Sequence, residues 1–292
     1  MDLGINAGFG DPLTGEFPFF QQLGIGVVRQ DLFAHGEDAP IEALVAEFSN
    51  QPTKALFMLA GGKIQVPDGS NRIEPHILAA RARRVVEAAQ AVGLHGYSLE
   101  VGNEPDIAHI DYASRPQDFA EAIRMVHMTV RPLGFDGHLI TGGVSNLNQR
   151  GLEYLRSMLS TTVIPDDVVL GFHRYPEAGR GAVTPHKGFV SRDDEFQALE
   201  RIRGDRRVAC TEFGYHTAED RVGMFGRRRR SDSEVADSVR WDLEFFDQRS
   251  VLMAALYQLR DGDRDVPEER YGIRRVDGTL KPVADALMAR VR

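Results

Sequence analysis

Eight short runs of β-branched and apolar residues recur along this chain, and each is separated from the next by a longer stretch with helical character. The runs are Leu3 to Asn6, Gly26 to Gln30, Ala55 to Leu59, Tyr97 to Val101, His138 to Thr141, Val168 to Phe172, Arg207 to Thr211 and Val251 to Tyr257. Such alternation predicts βα units around a parallel sheet. Eight units is the number that closes a sheet into a barrel, and a chain of 292 residues accommodates one such barrel of about 250 residues in a single domain. The expected fold is therefore α/β, a single (β/α)8 barrel over residues 1–292. No internal repeat, low-complexity tract or linker divides it.

The helical stretches carry their own punctuation. Pro75 to Val92 is stopped by Gly93, and Gln117 to Arg131 is stopped by Pro132. Ser231 and Glu234 stand in capping-box spacing ahead of an apolar stripe formed by Val235, Val239, Trp241, Leu243, Phe245 and Phe246. Lys281 to Arg290 reads as the last helix. Three connections are longer than a bare barrel needs: Gly61 to Glu74, Tyr175 to Arg192 and Gly214 to Arg230. Each follows a predicted strand, so each belongs to the C-terminal face, where barrels of this kind build their sites.

Composition narrows the class of partner. No apolar run approaches the roughly 20 residues a membrane span requires. A net charge of −8 argues against nucleic acid, whose phosphates demand clustered Lys and Arg. One cysteine, Cys210, permits no internal disulfide. It reads as a small buried hydrophobe within its strand. The opening residues, Met-Asp-Leu-Gly-Ile-Asn, have neither a basic nor an apolar leader region. A cytoplasmic location is the expectation, or export if a leader has been lost.

Chemistry concentrates where the runs end. Tyr97 to Asp106 reads Tyr-Ser-Leu-Glu-Val-Gly-Asn-Glu-Pro-Asp. The β-prone run gives way to Asn103 and Glu104, and Pro105 ends ladder donation, so the chain must leave the sheet there. The seventh run, Val208-Ala209-Cys210-Thr211, meets a second carboxylate at Glu212, three βα units further on. Arg29 falls near the end of the second run, and His173 and Tyr175, two residues apart, follow the sixth.

This set resembles the clan A glycoside hydrolases, cellulase-like and β-xylosidase-like retaining glycosidases on (β/α)8 barrels. The resemblance spans nearly the whole chain without selecting one family in the clan. It implies Glu104 as acid/base, Glu212 as nucleophile, and Arg29 as the group that keeps the nucleophile ionised. It also implies that Asn103 binds the sugar 2-hydroxyl and that His173 and Tyr175 contact substrate or nucleophile. The two carboxyl groups would lie about 5 to 5.5 Å apart, with Glu104 protonated while Glu212 is ionised. An oligosaccharide or small glycoside is the implied substrate, with no metal or organic cofactor. Tyr271-Gly272-Ile273 and the stretch from Val276 to Pro282 are similar to the clan's closing turn and last helix, and Asp277-Gly278 is a turn signal in its own right.

One departure concerns the eighth run. Clan members often stack the sugar on a tryptophan there, but this run ends Leu256-Tyr257-Gln258, and the only tryptophan, Trp241, falls in a predicted helix and reads as core. Stacking would pass to Tyr257, Tyr215 or Phe213. The four arginines 227–230 read as a solvated loop, with recognition of an acidic sugar as an alternative. Gly61-Gly62-Lys63 lacks phosphate-loop spacing. Two rival functions stay open: a metal-dependent barrel hydrolase or isomerase using Glu104, Asp106, His109 and His173, and a barrel that binds sugar without turnover.

Overall fold

The computed structural model describes residues 1–9, 13–32, 41–59, 75–107, 112–160, 164–177, 180–222 and 226–291. Eight parallel strands form one sheet: β1 (Asp2–Phe9), β2 (Val27–Asp31), β3 (Lys54–Met58), β4 (Ser98–Val101), β5 (Leu139–Thr141), β6 (Leu170–Arg174), β7 (Val208–Phe213) and β10 (Met253–Leu256). Their order is β5-β4-β3-β2-β1-β10-β7-β6. The ends meet because Thr141 N–H donates to the Val169 carbonyl and Val169 N–H to that of Leu139, both at 2.9 Å. The sheet is thus a barrel, as the alternation of the sequence predicts.

Among the described residues eight α-helices ring it: α1 (Phe17–Gln22), α2 (Ile41–Glu47), α3 (Pro75–Ala91), α4 (Pro116–Val130), α5 (Gln149–Leu159), α6 (Arg192–Arg203), α7 (Asp232–Asp247) and α8 (Pro282–Val291). The capping box predicted at α7 is present: the Ser231 hydroxyl accepts from Glu234 N–H, and the Glu234 carboxylate accepts from Ser231 N–H. Among the described residues no helix is long and apolar enough to cross a membrane.

The stretch 214–230 departs from expectation. It is not a plain loop but carries an antiparallel pair, β8 (Glu219–Val222) and β9 (Gly226–Arg229). Its polar sequence hides the strand signal, since two-residue alternation is visible only where one face is apolar.

Period-two alternation sorts the strand side chains. Val28, Phe57, Leu99, Val101, Phe172 and Phe213 face outward into one large core against the helices. Val27, Leu56, Ile140, Val169, Ala209 and Met253 form a separate apolar plug inside the barrel. Two residues along β2 from Val27 comes Arg29, and two along β4 from Ser98 comes Glu100, both buried. The barrel interior therefore changes from apolar to charged toward its C-terminal mouth, which sets the floor of the site.

Candidate active site

Arg29 is the hub of that charged layer. Its Nη1 donates to Glu212 Oε1 at 2.7 Å and to Asn6 Oδ1 at 2.8 Å, its Nη2 to Asn103 Oδ1 at 2.7 Å, and its Nε to Glu100 Oε2 at 2.5 Å. Four groups from four parts of the chain thus share one guanidinium, which is only 4% exposed. A planar fork of five donors can satisfy such a set, which an ammonium group cannot. Glu100 and Asn6 are site residues that the strand ends did not reveal. Both lie within their strands, where a polar residue at an inward position was the available signal.

Glu212 owes its direction to an irregularity in β7. Phe172 pairs with Cys210, yet His173 pairs with Glu212, so one extra residue enters the strand at Thr211. Cys210 and Phe213 both belong to the outer core. Strict alternation from Cys210 would have sent Glu212 outward; the bulge turns it into the barrel instead. Cys210 itself is buried as a small hydrophobe, and burial pushes its thiol well up.

The Glu212 carboxylate is fully engaged. Besides Arg29 it accepts from the Tyr175 hydroxyl at 2.5 Å, and His173 Nδ1 lies 3.6 Å from Oε2. Burial raises its pKa, but His173, Arg29 and the Tyr175 hydrogen bond outweigh burial and hold it below its ordinary value. His173 shows the reverse balance. Burial disfavours its imidazolium, and the charges of Glu212 and Glu104 prevail, so its pKa is raised. Burial and the Glu212 charge push the Tyr175 phenol well up, keeping it a neutral donor.

Glu104 stands just past β4, with its side chain 23% exposed. Its Oε1 is 3.1 Å from His173 Nδ1, and its main-chain N–H donates to the Gly143 carbonyl at 3.0 Å. The backbone there has φ of 45°, left-handed for a residue with a Cβ. That geometry swings the carboxyl inward over the barrel after Gly102. Gly143 is required by close approach, because a Cβ on it would lie 2.5 Å from His173 Nε2.

One oxygen of Glu104, one of Glu212 and a His173 ring nitrogen all lie within 4.8 Å of one another. The donor types suit a metal ion, but both Glu212 oxygens already accept, and Arg29 places a cation beside them. Of the other ligands considered, Asp106 faces away, accepting from the amide and hydroxyl of Ser145 at 2.8 and 2.7 Å. His109 and the 61–63 stretch lie outside the described residues.

The aromatic wall differs from expectation. Tyr215 is buried with its hydroxyl bonded to Asp242, and Phe213 is buried against Phe246, so neither can stack a sugar. Trp241 lies in α7 stacked on Phe245. Tyr257 does face the mouth. It packs edge-to-face with Tyr175 and Tyr271, with ring centroids 6.1 and 5.6 Å apart, and burial followed by the Glu212 charge raises its pKa to about 12. Tyr271 extends this wall toward His216, 5.2 Å away. In the arginine run Arg228 and Arg229 are exposed, as the solvated reading expects, and pair with Glu234 and Asp265. Arg230 departs from it: it is buried, donating to the Arg180 carbonyl.

The fold and the position of this site define a (β/α)8 barrel of the architecture that known glycoside hydrolases share. A family 39 glycoside hydrolase from Bacteroides cellulosilyticus superposes with a TM-score of 0.73 at 19% identity, over 99% of this chain and 62% of that one. A monomeric β-xylosidase from Caulobacter crescentus gives a TM-score of 0.67 at 14% identity, over 100% and 68%. A family 128 endo-β-1,3-glucanase from Amycolatopsis mediterranei, solved with laminarihexaose, gives 0.60 at 16%, over 99% and 98%. The chain thus spans under two thirds of the family 39 structure and nearly all of the glucanase. No protein-family model and no curated protein sequence matches it.

Proposed function

We propose that the chain is a retaining glycoside hydrolase acting on an oligosaccharide or small glycoside, with Glu212 as nucleophile and Glu104 as acid/base. The observation that carries this reading is the separation of the two carboxylates: their nearest oxygens lie within 4.8 Å. Retaining pairs stand about 5 to 5.5 Å apart, while inverting pairs leave about 6.5 to 9.5 Å for a water.

The roles follow from the unequal surroundings of the two groups. Glu212 is held ionised by Arg29 and its oxygens are aimed by Tyr175, as attack on an anomeric carbon requires. In that step the Glu212 oxygen–carbon bond forms and the glycosidic bond breaks, and Glu104 gives its proton to the departing oxygen. Glu104 then takes a proton from water, whose oxygen displaces Glu212 from the same carbon. Asn103 Oδ1 is occupied by Arg29, which leaves Nδ2 to donate to a sugar hydroxyl. The half-buried Tyr257 offers an apolar ring beside the nucleophile. Laminarihexaose in the glucanase and laminaritriose in a Rhizomucor miehei β-1,3-glucanosyltransferase of the same fold support a carbohydrate as the ligand class.

The test is a panel of aryl and natural glycosides, with the product anomer read by NMR before mutarotation. The reading expects release from at least one glycoside with retained configuration. Inverted product, or no release from any sugar together with loss of activity on chelation of another substrate class, would replace it.

A further inference from the structure

A second layer of buried polar groups lies behind the site, outside the residues that face the mouth. Tyr175 is held through its main chain as well as its phenol. Its N–H donates to Asn146 Oδ1 at 2.8 Å, and its carbonyl accepts from His186 Nε2 at 2.9 Å. A carbonyl only accepts, so Nε2 carries the proton and the imidazole is oriented by it. His186 is 2% exposed.

The other end of His186 is anchored too. Its main-chain N–H donates to Glu195 Oε2 at 2.9 Å, and its Nδ1 lies 3.2 Å from the same oxygen without a hydrogen bond between them. Glu195 is 1% exposed in the first turn of α6, with Arg174 Nε at 3.5 Å from its other oxygen. Arg174 in turn donates to the Thr184 carbonyl at 2.8 Å. The connection after β6 therefore folds back on its own strand, and a continuous path runs from Glu195 through His186 and the Tyr175 backbone to the phenol that donates to Glu212.

Burying an imidazole, a carboxylate and a guanidinium together is costly, and apolar residues of similar volume fill such space without that cost. What an apolar residue cannot supply is a donor at a fixed point on the Tyr175 carbonyl. We propose, on the glycosidase reading above, that His186 is a positioning residue: it fixes the Tyr175 backbone through Nε2 so that the hydroxyl stays aimed at Glu212. It acts through Tyr175 and does not touch the sugar.

The experiment compares His186→Gln, His186→Asn and Tyr175→Phe, alone and with Tyr175→Phe combined with each His186 change. The Gln side chain reaches the position of Nε2 with an N–H donor, and Asn is too short to do so. The first readout is the titration of the Glu212 carboxyl carbon by NMR, identified by its absence in Glu212→Gln, and it needs no substrate. His186→Asn should move that titration upward in the same direction as Tyr175→Phe, His186→Gln should leave it near the wild type, and adding Asn to Tyr175→Phe should move it no further. The second readout is kinetic on whichever glycoside the panel identifies. His186→Asn should lower kcat by on the order of ten- to a hundredfold, the range for loss of one hydrogen bond to a charged group, with KM changed little, and the loss should be absent in the Tyr175→Phe background. Equal titrations for Gln and Asn, or additive effects with Tyr175→Phe, would overturn the proposal even if both variants lose thermal stability. A protein that hydrolyses no glycoside but shows the predicted titrations would count against the glycosidase reading alone.

Discussion

Glu104 pairs a chemical demand with a backbone demand. A left-handed φ costs a residue with a Cβ about 1 kcal/mol or more, whereas glycine adopts it freely. Glu104→Gly is therefore expected to unfold at a higher temperature than Glu104→Ala, by about 1 kcal/mol in stability, although both lack the carboxyl. Differential scanning calorimetry of the two variants decides this, and equal melting would mean that the local turn relaxes around any side chain. The sequence marks this position only indirectly. Pro105 shows that the chain leaves the sheet, and Asn103 and Glu104 are visible as polar groups after an apolar run, but the sign of φ is set by the contact with Gly143, which lies on another strand end. Glu100 and Asn6 were hidden for a similar reason. A polar residue inside a β-run resembles a rim residue until an arginine is seen to need it, on the adjacent strand for Asn6 and two strands away for Glu100.

At the level of elements, the strands and the caps were the legible part, and the irregularities were not. All eight parallel strands lie where the apolar runs predict, because burial on both faces leaves near-continuous apolar sequence. The bulge at Thr211 leaves no local mark: Ala209 to Phe213 reads as an ordinary run, and only the pairing with β6 reveals that Glu212 has been turned inward. The β8–β9 pair escaped for want of an apolar face. The α7 cap was readable from spacing alone, and its contribution can be measured. Ser231→Ala removes the acceptor for Glu234 N–H and should cost about 1 kcal/mol, a fall of about 1.5 to 2 °C in Tm for a protein of this size. Thermal melts check it. No change in Tm would mean that Glu234 and Arg228 hold the helix start without the hydroxyl.

For the whole molecule, the charged layer above the apolar plug makes stability depend on pH from both sides. The Glu212 carboxyl is held below its ordinary 4.5, so the stability it contributes is present above its unfolded value and lost as pH falls through the folded one. The His173 imidazole is raised above its ordinary 6.5, so its contribution is fully present below about 6.5 and lost as pH rises through the raised value. Melting temperature should therefore peak between these limits. Glu212→Gln should flatten the alkaline decline, since His173 loses the charge that raises it. An alkaline limb unaltered in Glu212→Gln would show that His173 is not the group responsible.

Two carboxylates that share one mouth have separate proposed roles, and azide rescue tests them most directly. On the proposed roles, Glu212→Ala should form no covalent intermediate, so azide should attack the substrate itself and yield the inverted glycosyl azide. Glu104→Ala should still form the intermediate from an activated aryl glycoside, which needs little protonation, and should release it slowly for want of a base. Azide should then give the retained glycosyl azide. NMR of the two products reads the outcome: opposite anomers from the two variants are the predicted result, and the same anomer from both would contradict the assignment.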